Sequence, residues 1–336
     1  MKLSVVMPVY NAGKTLERAM VSILAQDFGD FEFNVIDDAS TDDSVEIIRR
    51  FARQDSRVKP VFHRKNAGVS AALNEGLAVA AAPYVARMDA DDESLPGRLG
   101  MQYVFIRNRP NVAAAGSFVY YMGTSPKLDR LFRVPVSSAE IAAKIEHENC
   151  LYHPSVIMNR EMVSRAGGYR QKFKNSEDYD LWLRLSRVHE LANIPIPLLR
   201  YNFTVDGQTL GRKWEQLYYV YLAQVAYRTP EKPWTEIEQM AKEAHGRHDK
   251  DVFLHDVLLG TLSELLQLGR VDEARRLTER FGADYLGPEK AAKILQRAAN
   301  AIENPPPSKG IDWLEEFLAF KREQSLDEPA CASKIS

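Results

Sequence analysis

Four acidic residues follow one apolar run of the sequence at close spacing. They are Asp89, Asp91, Asp92 and Glu93, directly after Met88. Because carboxylates this close repel one another, we expect a positive charge among them. A hard divalent cation such as Mg²⁺ or Mn²⁺ prefers oxygen ligands of this kind. The alternative is a solvated acidic turn that caps the next helix, and so short a motif does not decide between the two.

A second acidic pair, Asp37 and Asp38, also follows an apolar run. A carboxylate in such a position can accept hydrogen bonds from the imide of uracil, the amide face of guanine or the hydroxyls of a ribose. The alternative is a helix cap, but Thr41 or Asp42 can fill that role. This leaves Asp38 free to bind a nucleotide.

A third acidic pair, Glu177 and Asp178, precedes an amphipathic helix predicted near residues 180–188. If Asp178 reaches the same site as the other clusters, it is placed to act as a general base. If it does not, it caps the helix and complements the helix dipole.

The elements that carry these residues alternate between strand and helix patterns. The predicted strands and helices, in chain order, are 3–7, 16–24, 33–36, 45–51, 58–62, 70–81 and 84–88. Strands separated by single helices predict an α/β fold with a mainly parallel central sheet that is covered on both faces. Ligands of such sheets bind beyond the carboxyl ends of the strands, where the strand order reverses. We therefore expect the polar clusters behind the first, second and fourth strands to converge on one crevice.

The pattern changes in the second half of the chain, where only helical periodicity remains. One apolar stripe there consists of Leu254, Leu258, Leu262 and Leu265. We predict an α/β domain over 1–210, an all-helical domain over 211–325 and a disordered tail over 326–336.

Composition excludes several classes of protein. The chain has 336 residues, with 44 Lys and Arg against 46 Asp and Glu, so no basic face for nucleic acid is expected. The two cysteines, Cys150 and Cys331, form no disulfide framework and fit a reducing compartment. No apolar run approaches the roughly 18 residues of a spanning helix, and the N-terminal run is interrupted by Pro8 and is no signal peptide. We predict a cytoplasmic protein.

Seven motifs stand in an order that is specific for one family. They are Met7-Pro-Val-Tyr-Asn-Ala12, Val35-Ile-Asp-Asp-Ala-Ser-Thr-Asp42, Asn66-Ala-Gly-Val-Ser70, Asp89-Ala-Asp-Asp92, His153-Pro-Ser155, Gly168-Tyr-Arg170 and Glu177-Asp178. This order resembles the family 2 glycosyltransferases with the GT-A fold, over about residues 1 to 205. The resemblance implies a nucleotide-sugar donor, a divalent metal (Mn²⁺ or Mg²⁺) and inversion at the anomeric carbon by direct displacement.

The resemblance also implies roles for individual positions. Asp178 would be the base, with Glu177 beside it, and Asp91 with Asp89 would bind the metal. The positions implied for the nucleotide-sugar are Pro8, Tyr10, Asn11, Asp37, Asp38, Asn66, Gly68, Ser70, Asp89 and Ala90. Those implied for the acceptor or the phosphate are His153, Gly168 and Tyr169, and His153 is equally well interpreted as a satisfied loop histidine.

The implied partners are a UDP-sugar, with dTDP and GDP as alternatives, and a saccharide or polyprenyl-linked acceptor in cell-surface polysaccharide biosynthesis. One departure concerns the metal. The family often carries a Tyr-Arg-x-His stretch after the helical segment, whereas this chain reads Tyr201-Asn-Phe-Thr-Val-Asp-Gly207. The missing histidine weakens the expectation of strict metal dependence.

Other interpretations concern the same residues. A scaffold with a degenerate transferase domain and a metal-dependent phosphatase are the alternative functions. Gly13-Lys14-Thr15 imitates the end of a phosphate-binding loop, but Pro8 stands where that loop needs its first glycine, which argues against a nucleoside triphosphatase.

Two features of the helical region have a functional and a structural interpretation. A stripe of Trp214, Leu217, Tyr218 and Tyr221 is typical of packing between helices. Peripheral contact with the inner face of a membrane is the alternative. The histidines near His245 are typical of a solvated helix face rather than a second metal site.

Overall fold

The computed structural model of the protein describes residues 1–203 and 209–287, together with residues 289, 291 and 296. The predicted tail at 326–336 and the end of the predicted helical domain lie outside these residues. The strands of the described part are β1 (Leu3–Val9), β2 (Phe31–Asp37), β3 (Val58–Phe62), β4 (Tyr84–Arg87), β5 (Glu93–Ser94), β6 (Val112–Tyr121), β7 (Arg130–Phe132), β8 (Ile157–Asn159) and β9 (Glu190–Tyr201).

The described helices alternate with the strands up to β4, as predicted, and four helices follow β9 without a strand between them. They are α1 (Leu16–Leu24), α2 (Ser44–Gln54), α3 (Val69–Val79), α4 (Arg98–Arg107), α5 (Ser138–Lys144), α6 (Arg160–Arg165), α7 (Glu177–Ser186), α8 (Thr209–Arg228), α9 (Trp234–His245), α10 (Lys250–Gln267) and α11 (Val271–Leu286). The helix predicted near 180–188 begins three residues earlier than expected. Glu177 and Asp178 therefore lie in the first turn of α7, where negative charge complements the helix dipole.

One mostly parallel sheet holds all the strands of the described residues, in the order β3-β2-β1-β4-β8-β6-β9-β5, with β7 paired to β6. β3, β2, β1 and β4 are parallel, and β6 and β9 run in the same direction as these four. This confirms the predicted mainly parallel α/β sheet. The order reverses at β1 and β4, which are neighbours although the chain visits β2 and β3 between them.

Both faces of the sheet are covered, as the continuous apolar runs predict. One core packs α1, α2 and α4 against the sheet, and a second core packs α3 and α5 to α9 against the other face. Every residue of β2 is buried. The carboxyl ends of the strands are therefore where ligands can reach the sheet.

The long strand β9 was not predicted from the sequence. It contains Pro195 and Pro197, which donate no backbone hydrogen bond and argue against an internal strand. The structure places both in an irregular stretch where the register with β6 shifts after Ser117. Because the pairing is interrupted there, the missing donors cost little and the strand continues to Tyr201.

The helical region has two parts. Leu222 and Ala223 of α8 are buried in the same core as Trp182 of α7, so α8 and α9 extend the core of the α/β domain. The hairpin of α10 and α11 has its own core, formed by the predicted leucine stripe and by Ala274, Leu277 and Leu286. The domain boundary at 210/211 stays a prediction.

The aromatic stripe of α8 has partners within the protein. The ring centroid of Trp214 lies 4.1 Å from that of His245 and 5.4 Å from that of Phe253. Tyr221 Oη lies 2.5 Å from Nε2 of His248. These contacts support packing between helices, and membrane contact remains the alternative prediction. None of the described helices is both long and apolar enough to cross a bilayer.

Gly168 lies where the segment before α7 contacts Asn74 of α3. Its φ is +62°, and a Cβ there would lie 2.6 Å from Oδ1 of Asn74, which accepts a hydrogen bond from the Tyr169 amide. We expect Gly168→Ala to lower the free energy of unfolding by about 2–3 kcal/mol in urea titrations. Gly167→Ala is the matched control, because Gly167 also has positive φ (+86°) but open space around it. An equal loss in both variants would contradict the contact with Asn74.

Candidate active site

A cleft of about 730 Å³, here called the first cleft, opens where the strand order reverses. The pair after the second strand, Asp37 and Asp38, does not line it, in contrast to the prediction that three strand ends converge. Five other residues implied for the nucleotide-sugar do line it, together with the implied metal ligand. They are Pro8, Tyr10, Asn11, Asp89, Ala90 and Asp91. The carboxyl ends of β1 and β4 supply them, so adjacent strands bring together residues about 80 positions apart in the chain.

The loop after β1 is held to the loop after β2. Asn11 has a φ of +51°, its amide donates to Ser40 Oγ (2.9 Å), and its Oδ1 accepts from the Thr41 amide (2.8 Å). Asparagine tolerates this left-handed conformation better than most residues do. The neighbouring Tyr10 ring is left 53% exposed at the cleft.

The acidic cluster after β4 is arranged as a cation site would be. Carboxylate oxygens of Asp89, Asp91 and Asp92 lie within 4.8 Å of one another, and this is the one such cluster among the described residues. Burial, and then repulsion from Asp89, raise the pKa of Asp91 to about 6 and raise that of Asp92 well above its usual range. Oδ2 of Asp92 is buried without a hydrogen-bond partner. A divalent cation would relieve both the repulsion and the unsatisfied oxygen, so the donor set fits Mn²⁺ or Mg²⁺.

Two buried arginines compensate part of this charge. Arg87, 4% exposed, forms an ion pair with Asp89. Arg98 is fully buried, and its guanidinium donates to the carbonyls of Arg87 (2.6 Å) and Pro154 (2.8 Å). Burial lowers the pKa of Arg98 to about 9. The acidic turn thus rests on a buried network of charge-assisted hydrogen bonds.

Residues from the start of α1 and from the segment after β9 fix the turn that carries the cluster. Thr15 Oγ1 donates to the Ala90 carbonyl (3.0 Å), and Arg18 donates to the Asp91 carbonyl (2.9 Å). Asn202, in the stretch that departs from the family pattern, donates its amide to Asp92 Oδ1 (2.7 Å) and its Nδ2 to Asp91 Oδ2 (3.4 Å). Asn202 therefore reaches the acidic cluster from the segment in which the family often carries its histidine.

The expectation that Asp38 is free was wrong. Its Oδ1 accepts from the Ala67 amide (2.8 Å) and contacts Nδ1 of His63 (2.8 Å), and its Oδ2 accepts from the Gly68 amide (2.8 Å). The side chain is buried because it folds the 63–68 turn onto the end of β2. Asp37 is also buried, and one of its oxygens accepts from the Ser40 amide (3.1 Å).

The turn at Asn66, Gly68 and Ser70 is likewise occupied by the protein. The amides expected to assist a diphosphate include that of Gly68, which donates to Asp38, and Asn66 Nδ2 donates to the Asp38 carbonyl (3.3 Å). Ser70 is buried in the first turn of α3. None of the three lines the first cleft. In the structure this turn therefore binds Asp38.

A second cleft of about 440 Å³ meets the first at Asp89, which lines both. Arg87, His153, Glu177 and Asp178 line the second cleft together with tyrosine and amide side chains. Asp178 accepts a hydrogen bond from Asn149 Nδ2 (2.9 Å). The predicted pair after residue 176 thus reaches the same region as the acidic cluster.

The two carboxyls at the start of α7 are both shifted toward the protonated form. Burial, and then the neighbouring Asp178, raise the pKa of Glu177 to about 7, and burial raises the pKa of Asp178. Glu177 is 8% exposed, and its Oε2 has no partner. A carboxylate with a raised pKa is a stronger base, as general-base catalysis requires.

The acceptor positions divide between the cleft and the core. His153 lines the second cleft, and its Nε2 lies 2.8 Å from Tyr169 Oη. Burial lowers the pKa of His153 well below its usual range, so the ring is neutral. Tyr169 is buried behind His153, and Gly168 packs on Asn74 outside both clefts. The family resemblance implies that Gly168 contacts the acceptor. In the structure, the absence of a side chain at Gly168 instead makes room for Asn74.

Several cleft residues were not predicted as site residues. In the first cleft they are Ala12, Lys14, Thr15, Asp42, Asn202 and Glu273. In the sequence, Lys14 and Thr15 resemble the end of a phosphate-binding loop, an interpretation that Pro8 argues against. Their position just after the first strand was the available signal. No sequence signal pointed to Glu273, which comes from α11.

Solved structures of similar fold define the class of protein. The S. aureus TarS 1–349 structure in complex with UDP-GlcNAc matches with a TM-score of 0.56 at 14% identity, over 90% of this chain and 92% of that one. The mannosyltransferase PcManGT from Pyrobaculum calidifontis, in complex with GDP-Man and Mn²⁺, matches with a TM-score of 0.55 at 19% identity, over 97% and 87%. The protein has the GT-A fold followed by a helical region.

Relatives in sequence give the family. The O-antigen biosynthesis glycosyltransferase WbnJ of Escherichia coli is 31% identical over 57% of this chain and 74% of that protein. The amylovoran biosynthesis glycosyltransferase AmsE of Erwinia amylovora is 31% identical over 64% and 81%. For an uncharacterized glycosyltransferase of Haemophilus influenzae, 28% identical, the match spans 59% of this chain and 64% of that protein, slightly under two thirds of its length. The profile of Glycosyl transferase family 2 matches residues 4–167, and the chain belongs to this family of enzymes.

The raised pKa of Glu177 makes stability depend on pH. Between its ordinary pKa of about 4.5 and its folded value of about 7, the folded protein holds more protons at this site than the unfolded chain. The free energy of unfolding therefore falls as the pH rises through this window. Because glutamine cannot ionise, we expect Glu177→Gln to raise the melting temperature relative to the native protein by several degrees more at pH 8 than at pH 5.

Differential scanning calorimetry across this pH range measures the effect. Glu46→Gln is the matched control, since Glu46 also lies in the first turn of a helix but is exposed. A difference between Glu177→Gln and the native protein that stays constant from pH 5 to pH 8 would contradict the shift.

Proposed function

We propose that the protein transfers a sugar from a nucleoside-diphosphate donor to a hydroxyl of a saccharide or lipid-linked saccharide, with inversion at the anomeric carbon. The observation that carries this proposal is the junction of the two clefts at Asp89. An acidic, cation-binding turn lies on one side of the junction and the partly buried Asp178 on the other. A leaving diphosphate and an attacking hydroxyl need such opposed environments.

The first cleft is the proposed donor site. Pro8, Tyr10 and Asn11 form its nucleoside end, and Lys14 offers a positive charge to the phosphates. UDP is the first nucleotide to test. GDP and dTDP are the alternatives, because PcManGT is described with GDP-Man whereas TarS is described with UDP-GlcNAc.

Asp89 and Asp91 would hold a divalent cation, Mn²⁺ or Mg²⁺, with Asp92 buried behind them. When bound, the cation neutralises charge that develops on the departing diphosphate. The protein's own contribution is to keep the carboxylates together through Thr15 and Asn202.

Asp178 is the proposed base. Its carboxylate takes the proton of the acceptor hydroxyl while the acceptor oxygen forms a bond to the anomeric carbon. On the opposite side of that carbon, the bond to the phosphate oxygen breaks and the nucleoside diphosphate leaves. Asn149 orients one oxygen of Asp178, and burial raises the pKa of this carboxyl. Asp178 in turn helps to raise the pKa of Glu177 beside it.

The second cleft is the proposed acceptor site. Tyr152 and Tyr201, with ring centroids 5.8 Å apart, offer flat surfaces of the kind that sugar rings cover, and Asn149 and Gln216 offer polar groups. The names of WbnJ and AmsE, which refer to O-antigen and amylovoran biosynthesis, support an acceptor in the biosynthesis of a polysaccharide or glycolipid. The intact carboxylates and the relatives named glycosyltransferases argue against a scaffold or a phosphatase.

We expect Asp178→Asn to reduce transfer at least a hundredfold while donor binding is retained, because the amide cannot accept the hydroxyl proton. Release of nucleoside diphosphate in the presence of acceptor measures transfer, and isothermal titration with UDP-glucose, UDP-GlcNAc and GDP-mannose measures binding. Asp251→Asn is the matched control, since Asp251 is exposed at the second position of α10. Undiminished turnover in Asp178→Asn would exclude this residue as the base.

We expect Asp91→Asn to abolish the metal-dependent part of donor binding. In the native protein, Mn²⁺ together with a bound nucleotide-sugar should raise the melting temperature more than either alone, because both bind the folded state. The variant should lose this extra stabilisation, and Asp43→Asn should keep it, since Asp43 is exposed and makes no side-chain cap bond. The same Mn²⁺-dependent rise in both variants would show that Asp91 is no ligand.

A further inference from the structure

The end of α10 and the turn that follows it are attached to the α/β domain near β6 and β7. Arg130 Nη1 donates to both carboxylate oxygens of Glu264 (2.9 and 2.8 Å), and the Thr124 amide donates to the Leu268 carbonyl (3.0 Å). Gly269, with φ of +69°, lies so close to Leu128 that a Cβ would be 2.6 Å from its Cδ1. These contacts fix the position at which α11 begins.

The first turn of α11 is thereby brought to the first cleft. Glu273 is the one residue of the described helical region that lines this cleft. Its Oε1 accepts from Arg270 Nε (2.7 Å) and its Oε2 from Arg270 Nη2 (2.5 Å), a bidentate pair that fixes the carboxylate. Arg270 also donates to the carbonyl of Phe203, next to Asn202, which reaches Asp91 and Asp92.

Resting on the proposed function, we propose that Glu273 completes the donor site and accepts a hydrogen bond from a hydroxyl of the nucleotide-sugar. The helical region would then take part in donor recognition, which the family profile, ending at residue 167, does not cover. Arg270 is the positioning residue that holds the carboxylate toward the cleft.

The chemistry of the pair favours a hydroxyl as its ligand. Each carboxylate oxygen of Glu273 accepts one hydrogen bond from Arg270 and keeps a further lone pair. The guanidinium compensates the negative charge, so the pair does not repel a diphosphate as a lone carboxylate would. Glu273 remains 30% exposed at the cleft, whereas Arg270 is only 10% exposed. The available group is therefore an oriented acceptor, and a donor molecule offers hydroxyls on its ribose and on its sugar.

The experiment measures dissociation constants by isothermal titration in the presence of Mn²⁺ for the native protein, Glu273→Gln and Glu279→Gln. The probes are UDP, 2′-deoxy-UDP, UDP-glucose and UDP-GlcNAc, with GDP and GDP-mannose added if the uridine ligands do not bind. Glu279→Gln is the matched control on the exposed part of α11, with only a 3.4 Å contact to Arg275. Melting temperatures of the unliganded variants verify folding.

We expect Glu273→Gln to weaken binding about tenfold and Glu279→Gln to leave it unchanged, because a hydrogen bond to a charged acceptor is replaced by one to a neutral amide. If the variant binds UDP and the UDP-sugars more weakly but binds 2′-deoxy-UDP as well as the native protein does, the hydroxyl that Glu273 contacts is the 2′-hydroxyl of the ribose. A loss confined to the UDP-sugars assigns the transferred sugar. In steady-state kinetics the donor KM should rise while the acceptor KM stays the same.

Two results would overturn the inference in distinguishable ways. If the native protein binds these ligands and Glu273→Gln binds all of them equally well, Glu273 is no donor ligand although the proposed function stands. If the folded native protein binds none of the nucleotides or nucleotide-sugars, the proposed donor site itself fails and the inference fails with it.

Discussion

The buried guanidinium of Arg87 is the charge on which the site depends. Asp89 pairs with it directly, and its field lowers the pKa values of Asp91, Asp92, Glu177 and Asp178 against the larger effect of burial. Two buried guanidiniums, those of Arg87 and Arg98, among five carboxylates leave the site short of positive charge. This shortage suits a site that takes a divalent cation on one side and uses a carboxylate with a raised pKa on the other.

Arg87 can have this role only because the fold holds it where water cannot screen it. Arg98, fully buried on α4, bonds the carbonyls of Arg87 and Pro154 and so joins the end of β4 to the turn that carries His153. Both of these residues line the second cleft. A single buried side chain therefore holds two segments of the wall of the second cleft together, at the cost of desolvating its own charge.

The helical region contributes to both clefts. Gln216 of α8 lines the second cleft and donates to the carbonyl of Asn175, just before α7, while Glu273 of α11 lines the first. Asn175 has a φ of +57°, so this bond holds a strained residue next to the proposed base. The α/β domain supplies the acidic clusters, and the helices that follow it supply part of the walls of both clefts.

The sequence by itself determined the first four strands, the helices between them and the three groups of acidic residues, because burial on both faces and turn chemistry are local properties of the chain. It also determined the family, since seven motifs in one order leave little ambiguity. It misjudged Asp38 and Gly168, whose partners Gly68 and Asn74 lie about 30 and 94 residues away in the chain. It missed β9, where prolines are tolerated only because the register with β6 shifts. It gave no sign of Glu273, because nothing local to α11 shows that the bonds of Glu264 to Arg130 and of Leu268 to Thr124 bring it to the first cleft. Only the tertiary structure decided which carboxylates remain available to a ligand, since that depends on hydrogen bonds between distant segments.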